Sequence, residues 1–152
     1  MYNILETQFA KYVNRKHAVA VNSGTSALHL ALLALGIGAG DEVIVPDLTF
    51  VACAFSVTYT GAKPIFVDVK DDYTIDPEKI IPKITNETKA IMAVHLYGNK
   101  CDMEKILKIA KKYKLKVIED CSEHHLVELS QSDIACYSFQ SSKQIQDRKS
   151  VV

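Results

Sequence analysis

The fold class is decided by one stretch of the sequence, Asp102-Met-Glu-Lys-Ile-Leu-Lys-Ile-Ala-Lys-Lys-Tyr-Lys-Leu-Lys-Val-Ile-Glu-Asp120. Apolar residues recur at helical spacing over Met103–Tyr113, after an Asp that can cap the helix. The β-rich run Leu115–Glu119 follows at once and ends at Asp120. The stretch therefore predicts a helix that leads directly into a buried strand.

The same alternation of strand and helix extends over the rest of the chain. Because strands separated by helices of this length form mostly parallel sheets, we predict an α/β fold whose sheet carries helices on both faces. Ligands bind such sheets beyond the carboxyl ends of the strands, which is where Phe50, Asp120 and Lys143 fall. The further predicted strands are His17–Val21, Glu42–Val45, Pro64–Val67, Ala90–Val94 and Ile134–Phe139, and the further predicted helices are Ser23–Gly36, Thr49–Tyr59 and a short helix after Asp76-Pro77.

Composition excludes several classes of partner. The 18 basic and 18 acidic residues of the 152-residue chain cancel and are interspersed, so we expect binding neither to nucleic acid nor to a membrane. Four scattered cysteines without a C-x-x-C pair, and an amino terminus unlike a signal peptide, favour a cytoplasmic protein. The length suits one α/β domain, which we expect to be incomplete.

Lys143 and Asp120 suggest a cofactor. Lys143 follows Ser138 by five residues in Ser-Phe-Gln-Ser-Ser-Lys, and it follows Asp120 by 23 residues. A lysine amine can hold the aldehyde of pyridoxal phosphate as a Schiff base, an Asp can pair with the pyridine nitrogen and a hydroxyl can bind the phosphate. Strand alternation predicts that either Glu119 or Asp120 points inward or into the crevice. Helix capping is an equally good interpretation of Asp120 alone.

Two more segments have a ligand-binding and a purely structural interpretation. The turn containing Gly24, Thr25 and Ser26 joins a predicted strand to a helix, so its N–H groups and hydroxyls could bind a phosphate. Taken alone, the turn fits ordinary helix capping better. Phe50 could stack on a flat ring, although most phenylalanines at such positions belong to the core.

Taken together, these segments resemble the DegT-type sugar aminotransferases, a pyridoxal phosphate family of the fold type I (aspartate aminotransferase) class. The likeness runs from about Glu6 to Gln144. It depends on Ser23-Gly-Thr-Ser-Ala-Leu-His-Leu-Ala-Leu, Gly40-Asp-Glu-Val-Ile-Val-Pro, Thr49-Phe-Val-Ala, Gly61-Ala-Lys-Pro-Ile-Phe-Val-Asp, His95-Leu-Tyr-Gly, Ile118-Glu-Asp, and Asp133-Ile-Ala-Cys-Tyr-Ser-Phe with Lys143.

The resemblance implies a role for each candidate residue. Lys143 would be the Schiff-base lysine and proton shuttle, and Asp120 would pair with the pyridine nitrogen. Phe50 would stack on the ring. Glu123 falls where the family often has Gln near the 3′-oxygen of the cofactor. A carboxylate at this position is a departure found in some members. The expected phosphate ligands are Gly24, Thr25, Ser26 and Ser138.

The resemblance also implies a reaction and partners. Glutamate would give its amino group to the cofactor, which would then aminate a keto group of a nucleotide-linked deoxysugar. Family members with His in place of the lysine are dehydratases, so Lys143 favours transamination. The full-length parent would be a homodimer with a second domain. Residues 1–146 would then be part of the large, cofactor-binding domain.

Three alternatives remain beside this interpretation. A metal site at Glu119–His125 is disfavoured because the residues are crowded without the paired His of a zinc helix, so no metal ligand is predicted. Another fold type I enzyme would share the Asp and Lys but lack the Thr49 and His95 segments. The chain could also be an inactive truncated fragment. The segment Asp147-Arg-Lys-Ser-Val-Val fits no strand, helix or glycine turn expected after the lysine, so we interpret 147–152 as a non-native, adapter-derived tail.

Overall fold

A computed structural model describes residues 2–124, 132–140 and 150–151 of the chain. Within these residues, the strands form one seven-stranded sheet in the order β1-β7-β6-β5-β4-β2-β3. Neighbouring strands from β3 to β6 are parallel, whereas β7 is antiparallel to both β6 and β1. The strands are Ala20–Val21 (β1), Glu42–Pro46 (β2), Lys63–Val67 (β3), Thr88–Val94 (β4), Lys116–Asp120 (β5), Ile134–Ser138 (β6) and Ser150–Val151 (β7).

Three of the helices between the strands begin after a capping side chain, at Ser23, Asp76 and Asp102. Ser23 accepts a hydrogen bond from the Ser26 backbone N–H, and Asp102 accepts one from the N–H of Lys105. Both caps were predicted from the sequence. The helices are Tyr2–Tyr12 (α1), Gly24–Ala34 (α2), Ala52–Tyr59 (α3), Pro77–Ile80 (α4) and Met103–Tyr113 (α5), with short 3-10 turns at Ile81–Lys83 and Leu96–Gly98.

The sheet has an apolar core on each face. The core on the side of α2 and α3 includes Val43, Val45 and Ile118, and the opposite core packs Ile44, Ile91 and Val117 against α4 and α5. Successive residues of one strand face opposite cores because side chains alternate along a strand. These two layers confirm the predicted α/β fold, a mostly parallel sheet covered by helices on both faces.

Three features differ from the sequence predictions. Helix α1 lies before the first predicted element, where Phe9 packs edge-on against Tyr137 at a ring distance of 5.0 Å. Residues 150–151 form β7, so the expectation that the segment after Lys143 fits no strand was wrong. Backbone pairing with β6 and β1 explains this strand, because such pairing does not depend on side-chain pattern.

Both acids at the end of β5 are buried. The sequence predicts that one of them points inward, but Glu119 is 1% exposed and Asp120 is 5% exposed. The two carboxylates lie on opposite faces of the sheet because they are adjacent in one strand. The helices in the described part of the chain are too short or too polar to cross a membrane.

Candidate active site at the carboxyl ends of the strands

The Asp120 carboxylate is buried beside two neutral hydrogen-bond donors. Its Oδ1 accepts from the Ser122 backbone N–H at 2.9 Å, and its Oδ2 accepts from the Cys53 thiol at 3.3 Å. No ion pair within the described residues includes this carboxylate. A buried carboxylate is stable only when its charge is compensated, so the site suits a cationic group on a ligand.

The first turn of α2 lies next to Asp120 in space and presents backbone donors. Within the described residues, no acceptor takes the N–H groups of Gly24 and Thr25. The Ser26 hydroxyl lies 2.9 Å from the Ser23 hydroxyl, and all four residues are partly exposed. Unpaired N–H groups at the positive end of a helix dipole favour an anion such as a phosphate.

Gly24 allows this turn to approach two strand ends closely. A Cβ atom at Gly24 would lie 3.1 Å from Cβ and 3.3 Å from Oγ of Ser138, and 3.4 Å from Oγ of Ser122. Because Ser122 also donates its N–H to Asp120, it joins the first turn of α2 to the buried carboxylate. The described residues therefore bring Gly24, Ser138 and Asp120 together.

Phe50 lies in the loop between β2 and α3, and 65% of its surface is exposed. The alternative that this side chain belongs to the core was wrong. Its backbone carbonyl accepts from the N–H of Cys53, whose thiol reaches Asp120. An exposed aromatic ring on the same side of the sheet as Asp120 can cover a flat ligand ring.

Glu123 has a structural contact of its own. One carboxylate oxygen, Oε2, accepts from the backbone N–H of Tyr97 at 2.9 Å. Tyr97 has a left-handed backbone with φ of 54°, which is unfavourable for a bulky residue. His124 Nδ1 contacts the Gly98 carbonyl at 2.6 Å and fixes the same turn. Glu123 therefore holds the 96–98 turn at the edge of the site.

Lys143, the predicted attachment point of the cofactor, lies outside the described residues, as do His125 and the stretch 141–149. Its role as the Schiff-base lysine stays a prediction. The described strand β6 ends at Ser138, five residues earlier.

A second polar cluster, on the face of the sheet opposite to Asp120, has the composition of a metal site. Ligand atoms of His95, Glu119 and Cys121 lie within 4.8 Å of one another. However, His95 Nδ1 accepts from the Cys101 N–H, so its Nε2 carries a hydrogen and donates to Glu119 Oε2 at 3.0 Å. Burial also raises the pKa of the Cys121 thiol. The geometry is that of a hydrogen-bond network, with Arg15 3.6 Å from Glu119.

Sequence reasoning missed two residues near Asp120, Thr49 and Cys53. They are four residues apart and contact each other at 3.3 Å between Oγ1 and Sγ. The i, i+4 spacing in a predicted helix could have paired them with each other. It could not have paired Cys53 with Asp120, since 67 residues separate the two.

Comparison with solved structures assigns this fold to the aminotransferases. The structure of NtdA from Bacillus subtilis with bound cofactor PMP matches 99% of this chain with a TM-score of 0.95 and 39% identity, over 36% of its own length. The chain belongs to the DegT/DnrJ/EryC1/StrS aminotransferase family, whose model matches residues 2–147. The family resemblance noted in the sequence is therefore confirmed.

Two curated relatives are similar over about four fifths of the chain. The GDP-perosamine synthase of Caulobacter vibrioides is 56% identical over 119 residues, which are 78% of this chain and 32% of the relative. The dTDP-3-amino-3,6-dideoxy-alpha-D-galactopyranose transaminase of Aneurinibacillus thermoaerophilus is 52% identical over 121 residues, 79% of this chain and 33% of the relative. The chain thus spans about a third of the length of these relatives.

Proposed function

We propose that the described residues form the cofactor-binding part of a pyridoxal phosphate-dependent aminotransferase. Its substrates would be glutamate, as amino donor, and a nucleotide-linked keto-deoxysugar. Membership of the family and the names of the two curated relatives support this substrate class. In this proposal residues 1–146 belong to the large domain and 147–152 are a non-native tail, which resequencing of the gene beyond the Lys143 codon tests.

The observation that carries the proposal is the pairing of Asp120 with the first turn of α2. A buried carboxylate with neutral donors suits the protonated nitrogen of a pyridine ring, and the unpaired N–H groups of Gly24 and Thr25 suit a phosphate. Ser122 contacts both regions. A small ligand with one cationic ring nitrogen and one phosphate therefore fits the residues present.

Each residue would then have a defined task. Asp120 would hold the proton on the ring nitrogen, because a carboxylate beside that nitrogen favours its cationic form. Gly24, Thr25, Ser26 and Ser138 would bind the phosphate through N–H groups and hydroxyls, and Phe50 would exclude water from one face of the ring. When bound, the cofactor supplies an electron sink for bonds at the substrate carbon.

Lys143 would hold the cofactor through its side-chain amine and, once released, would move a proton at Nζ. Glu123 would lie beside the 3′-oxygen of the cofactor while it keeps the Tyr97 turn in place. The complete protein would act as a cytoplasmic homodimer. In this proposal a partner chain would provide groups for the nucleotide.

The test is reconstitution of the full-length protein with pyridoxal phosphate. Borohydride reduction followed by peptide mass spectrometry should find the cofactor covalently bound at Lys143. The variant Lys143→Ala should lose this adduct, and the exposed control Lys108→Ala should keep it. Conversion of glutamate to 2-oxoglutarate by the loaded protein tests the donor. An adduct on another lysine, or none at all, would refute the proposed attachment.

A further inference from the structure

A chain of hydrogen bonds leads from the loop that carries Phe50 to the buried carboxylate. Thr49 Oγ1 lies 3.3 Å from Cys53 Sγ, and the Cys53 thiol lies 3.3 Å from Asp120 Oδ2. Cys53 is fully buried, Asp120 is 5% exposed and Thr49 is partly exposed. The chain therefore runs from the edge of the site to its interior.

The direction of these bonds follows from the number of protons. Burial and the nearby Asp120 carboxylate raise the pKa of the Cys53 thiol, so it stays protonated at neutral pH. A thiol has one proton, and an ionised carboxylate can only accept. Cys53 must therefore donate to Asp120, and the Thr49 hydroxyl donates to the sulfur. A sulfur that accepts a hydrogen bond is a better donor, because hydrogen bonds in a chain polarise one another.

We propose that Cys53 is a positioning residue that keeps Asp120 ionised and oriented toward the ring nitrogen of the cofactor, with Thr49 as its support. This inference rests on the proposed function. Without Cys53, Oδ2 would lose its donor in a buried environment, where an uncompensated carboxylate charge is costly. The carboxylate would then take a larger share of the proton and leave the ring nitrogen less protonated.

Cys53 also fixes the distance between two parts of the site. Its backbone N–H donates to the Phe50 carbonyl at 3.0 Å, while its side chain reaches Asp120. The residue that covers the ring and the residue that pairs with the ring nitrogen are therefore tied to one helical turn. A few tenths of an ångström matter in such a site, because positioning is a large part of catalysis.

Cys136 offers a matched control. It is a fully buried cysteine in the same core cluster as Cys53, and within the described residues no hydrogen-bond partner of its thiol is found. The other titratable groups close to Asp120 in this part of the chain are the thiols of Cys53 and Cys121. A cavity alone should affect the Cys53→Ala and Cys136→Ala variants alike.

The contact itself can be tested without cofactor. In the infrared spectrum of the full-length apoprotein, the S–H stretching band that Cys53→Ser removes should lie at lower frequency than the band that Cys136→Ser removes. It should move to higher frequency in Asp120→Asn, because an amide oxygen accepts more weakly than a carboxylate. A Cys53 band that matches the Cys136 band, or that ignores Asp120→Asn, would overturn the proposal.

The effect on the cofactor is read from the nitrogen-15 chemical shift of the labelled pyridine ring nitrogen as a function of pH. At a pH where the wild-type ring nitrogen is protonated, Cys53→Ala should lower the ratio of protonated to neutral ring nitrogen about tenfold, the equivalent of one lost hydrogen bond, because the carboxylate takes a larger share of the proton. Cys53→Ser should restore it, Thr49→Val should shift it less in the same direction, and Cys136→Ala should leave it unchanged.

Turnover should follow the same order, with kcat of Cys53→Ala about tenfold lower and the KM for glutamate unchanged. Equal shifts in Cys53→Ala and Cys136→Ala would show that the thiol acts only through packing. If the wild-type protein takes up no cofactor, the proposed function fails, and the infrared bands still decide the Cys53–Asp120 contact. If Cys53→Ala does not fold, Thr49→Val and Cys53→Ser decide the question.

Discussion

His95 Nε2 lies 3.0 Å from Oε2 of Glu119, and both side chains are at most 1% exposed. The backbone N–H of His95 donates to the Asp120 carbonyl, so this pair lies directly behind the candidate active site. Arg15 contributes a third contact from the loop after α1, at 3.6 Å. His95 directly follows β4, and Glu119 is the next-to-last residue of β5. The pair therefore fixes the ends of these two strands relative to each other.

Removal of the Glu119 carboxylate should destabilise the protein strongly. Glu119→Ala would leave the buried Nε2–H of His95 without its acceptor and would remove the ion pair with Arg15, at a cost of about 3 kcal/mol or more in the free energy of unfolding. Glu119→Gln should cost less, since an amide oxygen can still accept from His95. Urea unfolding measures both. The exposed pair Glu104–Lys108 is the control, and Glu104→Ala should change stability by less than about 1 kcal/mol.

A methyl group at Gly24 should weaken cofactor binding. In Gly24→Ala the new Cβ would lie 3.1 Å from the Ser138 Cβ, so the turn must move away from the strand ends. We expect the Kd for pyridoxal phosphate to rise at least about tenfold, because the phosphate ligands would be displaced. Fluorescence titration of the full-length protein checks this. Gly38→Ala, whose nearest atom would be 3.7 Å away, should bind normally, and equal losses in both variants would contradict the prediction.

Asp72 should make stability depend on pH in the acidic range. Hydrogen bonds from Lys70 and Thr74 lower the pKa of its carboxyl to about 2. A carboxyl whose pKa is lower in the folded state stabilises the protein above its unfolded pKa of about 3.9, and this contribution is lost as pH falls toward about 2. Asp72→Asn should therefore be less stable at pH 6 by under about 1 kcal/mol, a small value because the side chain is 43% exposed.

The measurement for Asp72 is the difference in free energy of unfolding between wild type and variant at several pH values. The difference should shrink as pH falls from about 4 to about 2. A constant difference over this range would mean that Asp72 acts only as a neutral hydrogen-bond acceptor for the Thr74 N–H and hydroxyl.

Local sequence signals predicted the framework of the fold because they depend on neighbouring residues. Ser23 and Asp102 cap their helices, and the apolar runs at β4 and β5 form adjacent parallel strands. The placement of Asp120 at the carboxyl end of β5 was confirmed for the same reason. Helix α1 was missed because its apolar face is short and packs on Tyr137 of β6, more than 120 positions away from Phe9.

The contacts that tune the site could not be predicted, because they join distant residues. Buried Glu119 is paired with His95 and Arg15, and Asp120 Oδ2 accepts from the Cys53 thiol. No local pattern links these residues. The resemblance to the aminotransferase family named Asp120, yet it could not name Cys53, because its packing neighbour is defined only by the fold.

The most direct test of the candidate site is Asp120→Asn. Asn keeps the shape of the side chain and can still accept from the Ser122 N–H, so the fold should persist, as circular dichroism would show. The variant loses the negative charge that would hold the proton on the ring nitrogen, and the electron sink weakens. We therefore expect kcat/KM for transamination in the full-length protein to fall by about two orders of magnitude or more.

Glu123→Gln is the matched control. Its amide oxygen can still accept from the Tyr97 N–H, so activity should stay within a few-fold of wild type. Near-normal turnover in Asp120→Asn together with a large loss in Glu123→Gln would move the partner of the ring nitrogen from Asp120 to Glu123.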